Sequence, residues 1–163
     1  MTQRLLFRVP REKHLALSHG LSDTTDRSYT WLKRQRDEKG KLLYHVAKAE
    51  RTDVMPSKAR DGKYTFLRCR DLFGFIDLLY LDPPRLVAVQ SCMSHEVQAH
   101  LGKFRDHRPT AAAIREWLGI PGCAFVIHAW QCVETKERNG RYKKKWTKKD
   151  VDVTLKDLEE ERF

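Results

Sequence analysis

A single carboxylate inside an otherwise apolar stretch is the first residue of this chain that could do chemistry. Asp77 lies within the hydrophobic run 75–81, and a polar cluster at 90–92 ends the next hydrophobic run, 86–89. Burying an ionised acid costs free energy unless the carboxylate binds a cation or a set of hydrogen-bond donors. Residues 82–85 join the two runs and predict a β-hairpin, so we expect Asp77 to lie beside the polar cluster.

A second group of chemically capable residues is strongly basic. Residues 136–149 contain eight lysines and arginines around an Asn-Gly pair at 139–140, which predicts a type I′ hairpin. Strand alternation would place the even-numbered residues from 142 to 148 on one face and the lysines at 143, 145 and 149 on the other. Lysines neutralise phosphates and aromatic rings stack on bases, so the segment suits nucleic acid. The expected DNA contacts are Arg141, Lys143, Lys144, Lys145, Trp146, Lys148 and Lys149, with Lys103 from a separate helix. The alternative is a solvated hairpin in which Trp146 packs inward against Trp130.

The composition supports an anionic partner and a folded chain. With 163 residues, 40% hydrophobic and 33% charged, the chain is typical of one globular domain. The formal charge of +10 favours nucleic acid first and an anionic membrane surface second, although such a charge can also serve solubility alone. No apolar stretch reaches membrane-spanning length and no signal-like segment opens the chain, so we expect a soluble cytoplasmic protein.

The cysteines and histidines do not show a familiar zinc motif. The four cysteines, at 69, 92, 123 and 132, lack C-x-x-C spacing, which argues against a zinc finger or ribbon and favours reduced thiols. His95 and His100 frame a segment similar to a zinc-protease helix. They are five residues apart rather than four, however, and so leave a common helix face. We therefore reject zinc, and the seven histidines show no other ligand spacing.

The elements that must position these residues follow from periodicity and punctuation. We expect a basic, irregular arm over 1–21, one domain over 22–155 and an acidic tail over 156–163. A helix is predicted from Ser22 or Asp23 to about Lys39, ended by Gly40. A loop or hairpin tip is predicted over 51–63. The remaining predicted strands are 42–49, 64–70, 75–81, 86–91, 123–134 and the return from 142 to 155, and the remaining helices are 94–105 and 110–118.

This order of elements, with an Asp on one central strand and a polar triplet at the end of the next, resembles the PD-(D/E)xK nuclease superfamily. Asp77 matches the Asp of the motif, and residues 90–92 stand where the acid-x-Lys triplet would be. More narrowly, residues 71–77 and 87–91 look like those of a phage-encoded, Holliday-junction-resolvase-like group. Members of that group also tend to carry a Trp-Leu pair on a helix, as at 31–32, a strand ending in Glu, as at Glu50, and a late tryptophan strand, as at Trp130.

The resemblance implies an α/β (α+β) fold, in which helices flank a mixed central sheet with an αβββαβ core and a C-terminal β-hairpin. It implies a DNA-binding, Mg²⁺-dependent phosphodiesterase, an endonuclease acting on branched DNA such as Holliday junctions. It also implies a homodimer, and host cytoplasm as the compartment if the protein is phage-encoded. The alternative function is a catalytically inactive nuclease-fold protein that binds DNA or acts in assembly. A basic RNA-binding protein without nuclease ancestry would instead separate Asp77 from Gln90.

A hard divalent cation, Mg²⁺ or Mn²⁺, takes oxygen ligands and would suit the predicted site. Asp77 would supply a carboxylate, Gln90 its amide oxygen and Ser91 its backbone carbonyl, and Glu50 or Asp71 would complete the shell or orient a water. The metal would lower the pKa of a bound water and stabilise charge that develops on a phosphodiester. The thiol of Cys92 cannot replace the motif's lysine ammonium, which is the sequence feature that favours the inactive alternative.

The same residues also have purely structural explanations. Asp77 could be a strand acid paired with Arg68 or Arg70, and Asp71 could simply shape the turn that follows it. Glu50, taken alone, is typical of a solvated strand end. The amide of residue 90 could pair only with backbone groups.

Overall fold

The described residues form two β-sheets and three α-helices. The computed structural model describes residues 4–10, 23–49, 51–55 and 64–159, with side chains described for 24–49 and 71–159. The strands are β1 (Arg4–Pro10), β2 (His45–Lys48), β3 (Arg51–Met55), β4 (Tyr64–Arg70), β5 (Leu78–Asp82), β6 (Arg85–Met93), β7 (Cys123–Lys136) and β8 (Tyr142–Asp152). The helices are α1 (Asp23–Arg34), α2 (Val97–Asp106) and α3 (Arg108–Gly119), with 3₁₀ turns at Ser94–Glu96 and Leu155–Leu158.

The main sheet is five-stranded and mixed, in the order β2-β5-β6-β7-β8. Strands β6 and β7 run parallel, because the α2–α3 crossover returns the chain to the same end of the sheet, whereas all other neighbours are antiparallel. The second sheet is antiparallel, in the order β1-β4-β3. The predicted α+β class with a mixed sheet flanked by helices is therefore confirmed.

The main sheet is buried on both faces. On one face Leu32 of α1 packs with Leu78, Val89 and their neighbours. On the other face the sheet packs against α2 and α3, with Phe104 and Ile114 at the centre of the larger cluster. Burial on both faces explains why residues 86–89 and 125–127 are continuously apolar instead of alternating.

Several predicted boundaries differ from the structure. Residues 4–10, expected as part of an irregular arm, form a strand paired with β4, and residues 51–55 are a strand instead of a loop. Helix α1 ends at Arg34, before the predicted end near residue 39. The reason is local, since the Asp37 carboxylate accepts the backbone N–H groups of Lys39 and Lys41 and so stabilises a turn.

The starts of α2 and α3 and the residues after 155 also differ from the sequence predictions. The helix predicted from Ser94 begins at Val97 instead, because a 3₁₀ turn capped by Met93 precedes α2. Helix α3 begins at Arg108, two residues before the predicted start at Thr110. The described part of the expected acidic tail packs on the domain, since Leu158 is buried and its carbonyl accepts the Arg115 guanidinium.

The Asn-Gly pair forms a hairpin turn of another type than predicted. A type I′ turn needs positive φ at both central residues, but only Gly140, at +81°, has one there. The Gly140 N–H donates to the Glu137 carbonyl, and the Glu137 N–H donates to the Arg141 carbonyl. This pattern is a type I turn closed by a left-handed glycine. The hairpin itself is confirmed.

Candidate functional site

Asp77 lies directly before β5 and faces Gln90 on the neighbouring strand. Its backbone N–H donates to the Val89 carbonyl at 2.8 Å, which aligns it with Gln90 across the β5–β6 ladder. The Asp77 Oδ2 atom accepts hydrogen bonds from the Gln90 side-chain amide and the Ser91 backbone N–H, both at 2.7 Å. The juxtaposition expected from the hairpin is therefore present.

A tight turn sets the position of Asp77. The Gly74 N–H donates to the Asp71 carbonyl at 3.1 Å, and Phe73 and Gly74 both have positive φ. A Cβ on Gly74 would lie 2.8 Å from the Thr110 hydroxyl, so glycine is required there for packing as well as for conformation. Asp71 makes no hydrogen bond to Asp77 within the described part of the chain, and its backbone has the turn-shaping role that was the structural alternative.

Helix α1 closes this site from the side. The Thr25 hydroxyl donates to Asp77 Oδ2 at 3.3 Å, and the Ser91 hydroxyl lies 2.7 Å from both the Thr24 carbonyl and the Ser28 hydroxyl. The Trp130 indole N–H donates to the same Ser28 hydroxyl at 2.9 Å. Sequence reasoning missed these helix residues, although small polar residues on an otherwise inward helix face were an available signal.

The expected ligands do not fit Mg²⁺ as they are arranged. Asp77, Gln90 and Ser91 are only 2%, 2% and 4% exposed, whereas Mg²⁺ usually keeps several of its waters. Gln90 presents its amide nitrogen to the Asp77 carboxylate, and the Ser91 carbonyl accepts the Thr24 hydroxyl at 3.3 Å. The exception is Gln90 Oε1, a buried acceptor that has no hydrogen-bond partner among the described residues.

The other residues predicted for the site or for DNA contact lie away from Asp77 or outside the described residues. Cys92, in the position of the motif's lysine, lies in the apolar cluster between the sheet and α2. Glu50 lies outside the described residues, and the side chains of Arg68 and Arg70 do as well. Lys103, a predicted DNA contact, is half-buried on α2.

The β7–β8 hairpin extends past the buried part of the sheet as a basic ribbon, which we define as residues 131–147. All its described side chains are exposed except Cys132 and Trp146, which are half-buried. The ribbon carries six basic and two acidic residues. Its register pairs Val133 with Lys145 and Cys132 with Trp146, so the predicted alternation of the two faces is confirmed.

The two faces of the ribbon differ in their partners. On one face the Arg27 guanidinium lies 3.7 Å from the centre of the Trp146 ring, and Lys144 pairs with Glu134 at 3.1 Å. The opposite face presents exposed Lys143 and Lys145. Trp146 is therefore half-buried and lies under a cation of α1.

Lys148 does not belong to the exposed footprint. Its side chain is only 6% exposed, its ammonium lies 3.9 Å from the centre of the Trp31 ring, and it pairs with Asp150. Lys148 is therefore a poor candidate for the predicted DNA contact. Next to the base of the ribbon lies a groove of about 390 Å³. Its lining is Asp26, Arg27, Thr30, Trp31, Arg34, Gln35 and Trp130.

No family model, curated protein or solved structure gives a significant match to this chain. Among the described residues, none of the helices has the length and apolar character needed to cross a membrane.

Proposed function

We propose that this protein binds DNA, branched DNA foremost, through the basic ribbon, and that its core is a nuclease-like fold without a working metal site. The observation that carries the proposal is the exposed two-stranded ribbon with its excess of positive charge. A two-stranded β-ribbon fits the DNA major groove, and six residues of strand reach about 20 Å. Lys143 and Lys145 project together from one face and can meet successive phosphates.

The order of elements supports the nuclease-like part of the proposal. Helix α1, the antiparallel strands β2, β5 and β6, the α2–α3 crossover and the parallel strand β7 follow the αβββαβ order implied by the resemblance. The three-stranded sheet draws two of its strands, β3 and β4, from the chain between the first and second core strands. On the resemblance, Asp77 and Gln90 would correspond to the superfamily's acidic residues. On the resemblance alone we also propose a homodimer, which light scattering of the purified chain tests.

The test uses two matched double variants. We expect Lys143→Gln with Lys145→Gln to weaken binding of a labelled four-way junction by about tenfold, because two phosphate contacts are lost. Lys39→Gln with Lys41→Gln removes the same charge from two exposed lysines of a turn outside the ribbon and should leave affinity nearly unchanged. Fluorescence anisotropy at constant salt measures both. An equal loss in both variants would mean that only overall charge matters, and tighter binding of RNA would reassign the partner.

Metal-dependent cleavage is the second candidate function, favoured by one observation. Gln90 Oε1 is a buried oxygen without a hydrogen-bond partner among the described residues. It belongs to the same amide group whose nitrogen donates to Asp77. An unsatisfied buried acceptor costs free energy, so a cation would relieve that cost if the surrounding groups rearranged.

Cleavage assays separate the two functions. Labelled branched and linear DNA are incubated with Mg²⁺ or Mn²⁺ and with wild type or Asp77→Asn, a substitution that keeps the side-chain shape. Retained binding without any cleavage supports the binding function. Cleavage by wild type that disappears in Asp77→Asn, while binding persists, establishes the second function instead.

A further inference from the structure

A second cluster, separate from Asp77 and independent of the proposed DNA binding, contains three side chains of the kinds that bind transition metals. Cys92 lies near the end of β6, and Glu96 and His100 follow it at intervals of four residues. One ligand atom from each lies within 4.8 Å of the others. We propose that Cys92, Glu96 and His100 bind a single Zn²⁺ ion.

The local fold brings the three residues together. The chain leaves β6 at Met93, makes one 3₁₀ turn and enters α2, so Glu96 and His100 lie one helical turn apart on the same face. The Met93 N–H donates to Glu96 Oε2 at 3.0 Å. This bond orients the carboxylate and engages only one of its oxygens, which leaves Oε1 to bind a cation.

The donor set suits zinc better than magnesium. Thiolate and imidazole select softer ions such as Zn²⁺, whereas Mg²⁺ needs oxygen ligands. Tetrahedral zinc with bond lengths of 2.0–2.3 Å separates its ligand atoms by about 3.3–3.7 Å. The observed separations therefore need only small side-chain rotations to close around an ion.

The charges of such a site balance. On binding, the Cys92 thiol releases one proton to solvent and its sulfur bonds to the metal, while His100 binds as neutral imidazole. The thiolate and the Glu96 carboxylate then offset the two positive charges of Zn²⁺. A neutral complex suits a site in which Cys92 and His100 are each only 2% exposed.

The surroundings hold the ligands in place and leave a path for the ion to enter. The His100 ring lies against Phe104, with ring centroids 5.9 Å apart, and Cys92 belongs to the same apolar cluster as Phe104. Glu96 is half-buried, so the ion can enter from its side and a water can take the fourth position there. The exposed His95 lies outside the cluster, whereas His100 belongs to it, so the proposal departs from the rejection of zinc in the sequence analysis. The spacing of four residues that links Cys92, Glu96 and His100 was not among the predictions from the sequence.

Cobalt substitution tests the site on the full-length chain. After chelator treatment, one equivalent of Co²⁺ should produce a thiolate-to-cobalt charge-transfer band and intense tetrahedral bands, and Zn²⁺ should displace them. Cys92→Ala should abolish the charge-transfer band. Cys132→Ala, which removes a half-buried thiol of the ribbon, should leave the band intact.

A second pair of variants guards against misfolding. Glu96→Gln keeps an oxygen acceptor for the Met93 N–H but loses the charge. Replacing a residue that only hydrogen-bonds to a metal ligand weakens binding by roughly 10–100-fold, and we expect at least that loss of Zn²⁺ affinity when the ligand itself is replaced. His95→Gln, one residue away and exposed, should bind like wild type. Zn²⁺ should raise the Tm of wild type and His95→Gln, but that of Glu96→Gln much less at the same concentration. Absence of the wild-type band, or a band that survives Cys92→Ala and disappears in Cys132→Ala, overturns the site.

Discussion

Asp77 is the residue on which the buried polar network converges. Its Oδ2 atom accepts the Gln90 amide, the Ser91 N–H and the Thr25 hydroxyl. These three donors satisfy the buried Oδ2 acceptor without any metal. The carboxylate therefore joins α1, β5 and β6, and this structural role holds whether or not the protein cleaves DNA.

Removing this carboxylate should destabilise the fold strongly. Asp77→Ala leaves buried donors on Gln90 and Ser91 without their acceptor, so we expect a loss of about 3–5 kcal/mol in the free energy of unfolding. Asp71→Ala, which keeps the turn's backbone bond, should cost less than about 1 kcal/mol. Urea unfolding measures both values. Similar stabilities for the two variants would contradict the assigned role of Asp77.

His128 is a second residue whose environment predicts a measurable effect. Burial, reinforced by the Lys148 ammonium, lowers the pKa of His128 to about 3, although Asp150 opposes the shift. The unfolded chain has the ordinary pKa near 6.5 and so binds more protons than the folded one between about pH 3 and 6.5. Stability should therefore fall as the pH falls through this window.

The size of this effect has a limit of about 1.4 kcal/mol per pH unit for one proton. Urea unfolding between pH 4 and pH 7 should show a steeper loss for wild type than for His128→Gln, which cannot take up the proton. His95→Gln, at an exposed position, should follow wild type. Parallel pH profiles for wild type and His128→Gln would be inconsistent with a buried, neutral histidine.

Sequence reasoning reached the pairing of Asp77 with Gln90 because a short hairpin fixes which residues lie opposite each other. It did not reach Thr25 or Ser28, because the contact between α1 and the sheet joins residues far apart in the chain. The buried position of Lys148 was missed for the same reason, since strand alternation gives its face but not Trp31, which covers it.

At the scale of elements, the β7–β8 hairpin combines a buried base with an exposed ribbon. Residues 125–130 are buried, whereas the side chains of the ribbon are exposed except Cys132 and Trp146. The exposed ion pair between Glu134 and Lys144 stabilises the ribbon little, because solvent screens it. The ribbon therefore adds little to the stability of the domain, as expected of an element kept for contact with a partner.

Shortening the ribbon tests this separation. The register pairs Val133 with Lys145, so residues 134–144 can be replaced by a two-residue Asn-Gly turn. We expect the Tm to change by only a few degrees, because no buried side chain is removed. DNA affinity should fall below that of the Lys143→Gln, Lys145→Gln variant. Loss of cooperative unfolding, measured by circular dichroism, would show that the ribbon is part of the core.

Element boundaries were less predictable than element types. The carboxylate of Asp37 ended α1 early through a local turn that hydrophobic periodicity does not register. The hairpin around Gly140 was predicted correctly, but its turn type was not, because an Asn-Gly pair is compatible with more than one turn geometry. The cluster of Cys92, Glu96 and His100 was overlooked because these residues span a strand end and a helix, where no single period applies.

At the scale of the whole molecule, the charge of +10 is unevenly distributed over the described surface. The ribbon presents a concentrated group of cations at one end of the sheet, while the buried Lys148 at its base pairs with the exposed Asp150. The composition favours an anionic partner. The surface that we propose for the contact follows from the register, which places the lysines of the ribbon on two faces.

The salt dependence of DNA binding tests the central proposal most directly. The logarithm of the binding constant should fall linearly with the logarithm of salt concentration, with a slope of about −0.9 per phosphate contact. For the Lys143→Gln, Lys145→Gln variant we predict a slope shallower by about 2, and for the Lys39→Gln, Lys41→Gln control a slope equal to that of wild type. A ribbon variant with the wild-type slope, or a control that changes as much, would contradict binding through the ribbon.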